Sequence, residues 1–266
     1  MRSIFFLLVF SISAIASDIE PLTNRIDDMI FDNSELLSEP RFGNSFTEPK
    51  ALGARFLFTG TLWSDGVVPM AFAPEVTEAE KEFVLKACEE WTKAANVRCK
   101  SHEGELRYMT VQKSDKGCYS HVGMGPLVAP WAWHRTINLG PNCWYKHVVL
   151  HELGHTLGMI HEHQRDDRDE FIDILWDSML SSHHTNFSRI FWTTNYSSYD
   201  FDSIMHYNEF AFSRFTGRLR TIQAKKGYEN YQPTMGRNEF LSAQDKQTMA
   251  SLYGAPLPAS SRPRTP

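Results

Sequence analysis

The feature that most constrains this 266-residue chain is the run His151-Glu152-Leu153-Gly154-His155-Thr156-Leu157-Gly158-Met159-Ile160-His161, which sets a backbone path and a chemistry together. At 3.6 residues per turn, His151 and His155 lie one turn apart on one helical face, so both imidazoles reach the same ion, and Glu152 sits beside the first. Gly158 can take positive φ, stop the helix and swing the chain round so that His161 supplies a third nitrogen. Three neutral ligands leave the fourth position of one zinc ion open. Structural zinc sites are closed by four protein ligands whereas catalytic ones keep a water, so the spacing points to catalysis. Zinc lowers the pKa of bound water from about 15.7 to about 7, and Glu152, not needed as a ligand, can take the proton and pass it to a leaving amine. The implied reaction class is metal-assisted hydrolysis.

Other histidines are excluded by position. His147 shares the helical face but lies a turn too far from an ion held near the C-terminal end of the helix, so it is expected to be an ordinary, partly exposed side chain. His163 and His206 flank the motif residues and are expected to be packed or hydrogen-bonded.

The pattern H-E-x-x-H-x-x-G-x-x-H, with Ser203-Ile204-Met205-His206-Tyr207 as a methionine-containing turn, resembles the metzincin metallopeptidases. Glu162-His163 straight after the third histidine, with Arg165, Asp167, Arg168 and Asp169 following, is similar to one metzincin branch, the astacins. The resemblance runs from about Ala54 to Tyr253 and takes in Trp63-Ser64-Asp65-Gly66-Val67-Val68-Pro69 and Cys118-Tyr119-Ser120-His121-Val122-Gly123. It implies an α+β domain of two lobes, with a five-stranded mixed sheet and helices above the cleft and an irregular C-terminal lobe below. An extended peptide or protein substrate would lie between them. It further implies that Met205 lies under the zinc and that the Tyr207 phenol reaches the ion at rest, then swings to the oxyanion of the tetrahedral intermediate. Glu162 would contact a new amino terminus liberated near Ala54, the alternative being a pairing with Arg165 or Arg168. Two competing readings fit less well. A binding protein on a dead scaffold would have lost Glu152 or a ligand, and a thermolysin-like aminopeptidase takes its third ligand from a later Glu, not from a His at position 161.

The remainder of the chain reads as what builds, exports and silences such a site. Residues 1–16, with Arg2 before the apolar run Ile4 to Ile15 and small residues at Ala14 and Ala16, are expected to be a signal peptide. About a dozen apolar residues is too short to span a bilayer, which needs about 20, and no other segment could span, so stable membrane insertion is not expected. Residues 17–53 are polar, acidic and broken by Pro21, Pro40 and Pro49, and read as a pro-segment or a flexible linker. Astacin pro-segments carry an F-x-G-D motif whose Asp occupies the open zinc position. The nearest match here is Phe42-Gly43-Asn44, and an amide oxygen is a weaker zinc ligand than a carboxylate.

The catalytic domain, 54–254, opens with a strand around Gly66 to Phe72 and a capping box at Thr77-Glu78-Ala79-Glu80 that starts a helix. Phe83, Val84, Ala87, Cys88, Trp91 and Ala95 give that helix one apolar stripe. Short runs at Val97-Cys99, Leu106-Val111 and Thr136-Leu139 read as strands and Trp144 to Gly158 as the ligand helix, while Asn238 to Tyr253 resembles the last helix of the astacin family. Residues 255–266, rich in proline, are expected to be a disordered tail. Sequons at Asn186 and Asn195 suggest glycosylation of a secreted, extracellular surface. Four cysteines behind a signal peptide imply oxidation. The family resemblance pairs Cys118 with Cys143, while Cys88 and Cys99 form either a short bridge or two buried thiols. A net charge of −5 gives no reason to expect nucleic acid as a partner.

Overall fold

The computed structural model describes residues 23–26, 29–32, 62–125, 134–191 and 194–258. The expectations for the signal peptide, for Phe42 to Asn44, for Ala54 and for residues 259–266 fall outside them, as does most of the segment 17–53.

The upper region is one mixed sheet carrying two helices. In chain order its elements are strands β1 (Thr23–Ile26), β2 (Met29–Asp32) and β3 (Val67–Phe72), helix α1 (Glu78–Ala94), then β4 (Arg98–Ser101), β5 (Tyr108–Gln112), β6 (Cys118–His121) and β7 (His134–Leu139), and the ligand helix α2 (Lys146–Thr156). The strand order is β1-β2-β6-β7-β5-β3-β4. Five of these strands, β3 to β7, form the expected mixed sheet: β3, β4, β5 and β7 run parallel, and β6 is antiparallel to β7. The other two are an addition. β1 and β2 form an antiparallel hairpin whose second strand pairs in parallel with β6, Met29 opposite Ser120 and Ile30 opposite His121.

Local sequence explains the helices. The Thr77 hydroxyl accepts from the Glu80 N–H while the Glu80 carboxylate accepts from the Thr77 N–H at 2.8 Å, satisfying two donors that α1 would leave exposed. The stripe predicted for α1 is the buried one: Val84, Ala87, Cys88, Trp91 and Ala95 enter the core and Phe83 packs at its edge. The Trp91 indole donates to the Leu150 carbonyl (3.1 Å), locking α1 against α2. Disulfides join Cys88 to Cys99 and Cys118 to Cys143, so α1 is tied to β4, and β6 to the segment leading into α2.

Element ends shift where side chains decide. The strand expected from Leu106 starts at Tyr108, because Leu106 is 78% exposed and has nothing to pack against. The last helix, α3 (Ala243–Tyr253), begins five residues later than expected, since Ser242 is its N-cap and accepts from Asp245 N–H (2.8 Å).

The lower region, from about residue 161 to 242, has one short antiparallel pair, β8 (Ile172–Ile174) with β9 (Ile222–Ala224), and otherwise 3₁₀ turns. It keeps its own apolar cluster around Ile172, Met179, Phe187, Tyr199, Phe201, Ile222 and Met235. No helix among the described residues is long and apolar enough to cross a membrane.

Candidate metal centre and active site

Helix α2 ends where its sequence says it should. Gly158 adopts φ +100°, its N–H donates to the His155 carbonyl (2.8 Å), and the chain turns back toward the helix. The loosened carbonyls of the last turn are taken up by distant residues: the Trp63 indole donates to Thr156 O (2.7 Å) and the Tyr253 hydroxyl to Leu157 O (3.0 Å). Both ends of the domain therefore pin the helix that carries two of the histidines.

His151, His155 and His161 come together with ligand atoms all within 4.8 Å of one another. The Nε2 atoms of His151 and His155 are 3.0 Å apart, and those of His151 and His161 3.3 Å apart. Each Nδ1 faces an oxygen acceptor: Ile204 O for His151 (2.8 Å), Met159 O for His155 (2.8 Å) and Gln164 Oε1 for His161 (2.9 Å). Carbonyl oxygens only accept, which assigns the proton of each neutral ring to Nδ1 and the lone pair to Nε2. Three lone pairs then converge on one point, an arrangement that a cation stabilises and that fits a zinc ion with outer partners orienting each ligand.

Glu152 is buried, 1% exposed, on the same helix as two of the three rings. The Tyr207 ring stacks on His163 (centroids 4.0 Å apart) and lies 4.6 Å from the His161 ring. Its hydroxyl oxygen is buried and has no hydrogen-bond partner among the described residues, so the fold holds a phenol beside the cluster with its polar end available. His206 positions the Tyr207 backbone, Nδ1 donating to the Tyr207 carbonyl (2.7 Å) while Nε2 accepts from the Tyr199 hydroxyl (2.7 Å). Burial drives His206 down to about 3 and His163 well below the ordinary imidazole range, so both stay neutral. His163 donates from Nε2 to Asn186 O (3.0 Å). Neither joins the cluster, and His147 stands outside it, stacked on Tyr145.

The methionine turn is built from below. Asp245, at the start of α3, accepts from Ser203 Oγ (2.6 Å) and from Ile204 N–H (2.9 Å), and Ile204 in turn receives the His151 proton on its carbonyl. Met205 is fully buried, and a Cβ placed on Gly154 would lie 2.6 Å from its sulfur. Gly154 is thus the gap in α2 that admits Met205. Gly154, Gln164 and Asp245 are not singled out by the sequence; a glycine inside a helix, which costs about 0.5–1 kcal/mol relative to Ala, is the one local sign.

Glu162 pairs with Arg165: Oε1 accepts from Arg165 Nη1 (2.7 Å) and from the Asp200 N–H (2.9 Å). Burial pushes its carboxyl up to about 7, against the pull of the Arg165 guanidinium. Of the two sequon asparagines, Asn186 is 8% exposed, with its carbonyl accepting from His163, whereas Asn195 is exposed and donates to Asp166 Oδ1 (3.0 Å).

A mixed-sheet domain with a three-histidine cluster, a buried glutamate on the ligand helix and a methionine turn beneath it defines the metzincin class of zinc peptidase. Comparison with known proteins narrows the class. The profile of the Astacin peptidase family matches residues 58–254. The chain is 34% identical to zinc metalloproteinase nas-6 of Caenorhabditis elegans over 194 residues, 72% of this chain and 53% of that protein. It is 31% identical to zinc metalloproteinase nas-15 of the same organism over 201 residues, 74% of this chain and 33% of that protein. The solved structure of high choriolytic enzyme 1, a hatching enzyme zinc-protease from Oryzias latipes (medaka fish), matches with a TM-score of 0.65 at 26% identity, covering 79% of this chain and 100% of that one. The chain belongs to the astacin family of zinc metallopeptidases. It spans only about a third to a half of the length of those two curated relatives.

Proposed function

We propose that this chain is a secreted zinc endopeptidase that cuts extended segments of extracellular proteins, held latent until about its first 53 residues are removed. The observation that carries the reading is the convergence of three Nε2 lone pairs whose Nδ1 protons are already committed to oxygens. His151, His155 and His161 would hold one zinc ion, which supplies Lewis acidity toward a water and a scissile carbonyl. Glu152, on the same helix, takes a proton from the attacking water and returns it to the departing amine. The Tyr207 hydroxyl donates to the oxygen that gains charge as the carbonyl becomes tetrahedral. The edge of β6 offers backbone groups to an extended chain, and β2 pairs along that same edge.

Two disulfides favour an oxidising compartment and with it secretion. Latency follows from the hairpin β1–β2 occupying the sheet edge. A cavity of about 60 Å³ lined by Glu162, Arg165, Ser197 and Thr248 gives a liberated amino terminus space beside Glu162, where its ammonium would add to the pairing with Arg165.

The test is kinetic. Peptide hydrolysis by the zinc-loaded protein should vanish with chelator, and Tyr207→Phe should lower kcat by about 10²–10³ with KM little changed. A rise in KM alone would assign the hydroxyl to substrate binding, and chelator-resistant hydrolysis would remove the zinc reading.

A further inference from the structure

Besides the two main cores, the chain holds a small apolar cluster made of Met29, Val122 and Ile190, with Ile160 packed against it. Met29 is 0% exposed although, among the described residues, the strand that carries it pairs with β6 through two residue pairs, Met29 with Ser120 and Ile30 with His121. Backbone pairing of this kind is indifferent to sequence; an added strand is read by the pockets that receive its alternate side chains. Met29 is the side chain received here.

Each wall of its pocket is one or two links from a zinc-ligand residue. Val122 precedes Gly123, whose N–H donates to the His155 carbonyl (2.9 Å). Ile160 precedes His161 in the chain. The Ile190 N–H donates to Gln164 O (2.8 Å), and the Gln164 side chain accepts the Nδ1 proton of His161. The pocket therefore belongs to the neighbourhood of the histidine cluster. Its three wall side chains are branched aliphatics of restricted rotamer freedom, and Met, unbranched with three rotatable bonds, adapts to the gap they leave. A carboxylate placed there would lose its water against the aliphatic side chains of Val122, Ile160 and Ile190.

We propose that this pocket is a substrate subsite. With the leader removed, the groove along β6 takes an extended peptide and selects an unbranched apolar side chain, Met above all, at one fixed position relative to the cut; Met29 fills the subsite in the precursor as a built-in occupant. The proposal rests on the peptidase reading above and adds the class of residue the site accepts, with Val122, Ile160 and Ile190 as the residues that determine it.

Two arms test it with the zinc-loaded full-length chain after removal of its leader, which takes Met29, the native occupant, with it. In the first, Glu152→Gln is added and binding of a labelled synthetic peptide with the sequence of residues 23–32 is followed by fluorescence anisotropy. Norleucine in place of its methionine should bind as well as the parent peptide, and aspartate about 10-fold or more weakly. Equal binding of all three overturns the subsite. In the second arm, the leader-free chain with Glu152 intact digests a library of extended peptides. Cleaved sequences should be enriched in Met at a single position, and Ile190→Ala should move that preference toward larger apolar side chains. Cleavage with no such position, or with a preference that Ile190→Ala leaves unchanged, overturns the proposal. Methionine-dependent binding without cleavage of any library member would instead sustain the pocket as a peptide site and sink the peptidase reading.

Discussion

The sheet-and-helix half above the histidines and the lobe below them are stabilised by different physics. Above, β3 to β7, α1 and α2 bury periodic aliphatic and aromatic faces on one another, and backbone groups pair within regular elements. Below, the backbone is mostly irregular, and buried polar side chains take the place of missing ladders. Arg168 donates to the carbonyls of His163 (2.7 Å) and Phe187 (2.8 Å). Buried Glu209 accepts from Arg220 (2.6 Å), Gln232 (2.9 Å) and Arg237 (3.2 Å). The difference shows that an irregular lobe can be as determined as a sheet, provided each unpaired carbonyl has a named donor. It also predicts that the two halves fail to different kinds of mutation.

The largest stability effect should come from the lower lobe. Arg168→Ala leaves two buried carbonyls without the Nη1 donor they share and should cost roughly 3 kcal/mol in urea unfolding, with Arg168→Lys recovering only part because an ammonium that reaches the carbonyls gives up the Nε bond to Asp169. A loss below about 0.5 kcal/mol would mean that water replaces the guanidinium and that the contrast between halves is overstated. Next comes the seam between them. Gly154→Ala puts a methyl where the Met205 sulfur lies and should destabilise by about 1–3 kcal/mol despite the better helix propensity of Ala; Met205→Ala in the same chain should return part of the loss. An additive pair of losses would show that the two residues are not in contact in solution. The smallest effect belongs to the regular half, where Thr77→Ala removes half of the α1 capping box and should cost about 1 kcal/mol without changing peptide hydrolysis.

The same contrast explains what could be read from the sequence. The α1 stripe and its capping box, the strand from Val67 and the ligand spacing of α2 are legible because periodicity and local hydrogen bonds fix them within a few residues. The strand Cys118–His121 is not, being four residues long and half polar, and neither is the hairpin that covers its edge, since Met29 acquires meaning only against Val122 and Ile190, far off in the chain. In the site, the three histidines and Glu152 announce themselves by spacing. Gln164 and Asp245, which orient them through His161 Nδ1 and Ile204, do so across turns and long sequence separations that no local pattern encodes. Glu162 has three candidate partners by sequence, a new amino terminus, Arg165 and Arg168, and the pairing with Arg165 is visible only in the fold.

The central claim, that three histidines hold a zinc ion while Glu152 moves protons without ligating it, is tested most directly by Glu152→Gln. Zinc content and peptide hydrolysis should be measured on the same preparation of the full-length chain after removal of its leader. One zinc per chain is expected, retained at the level of the unmutated protein, with hydrolysis reduced by about 10²–10⁴. A Glu152→Gln protein that still hydrolyses peptide at the original rate, or one that loses its zinc while His151, His155 and His161 are intact, would contradict it.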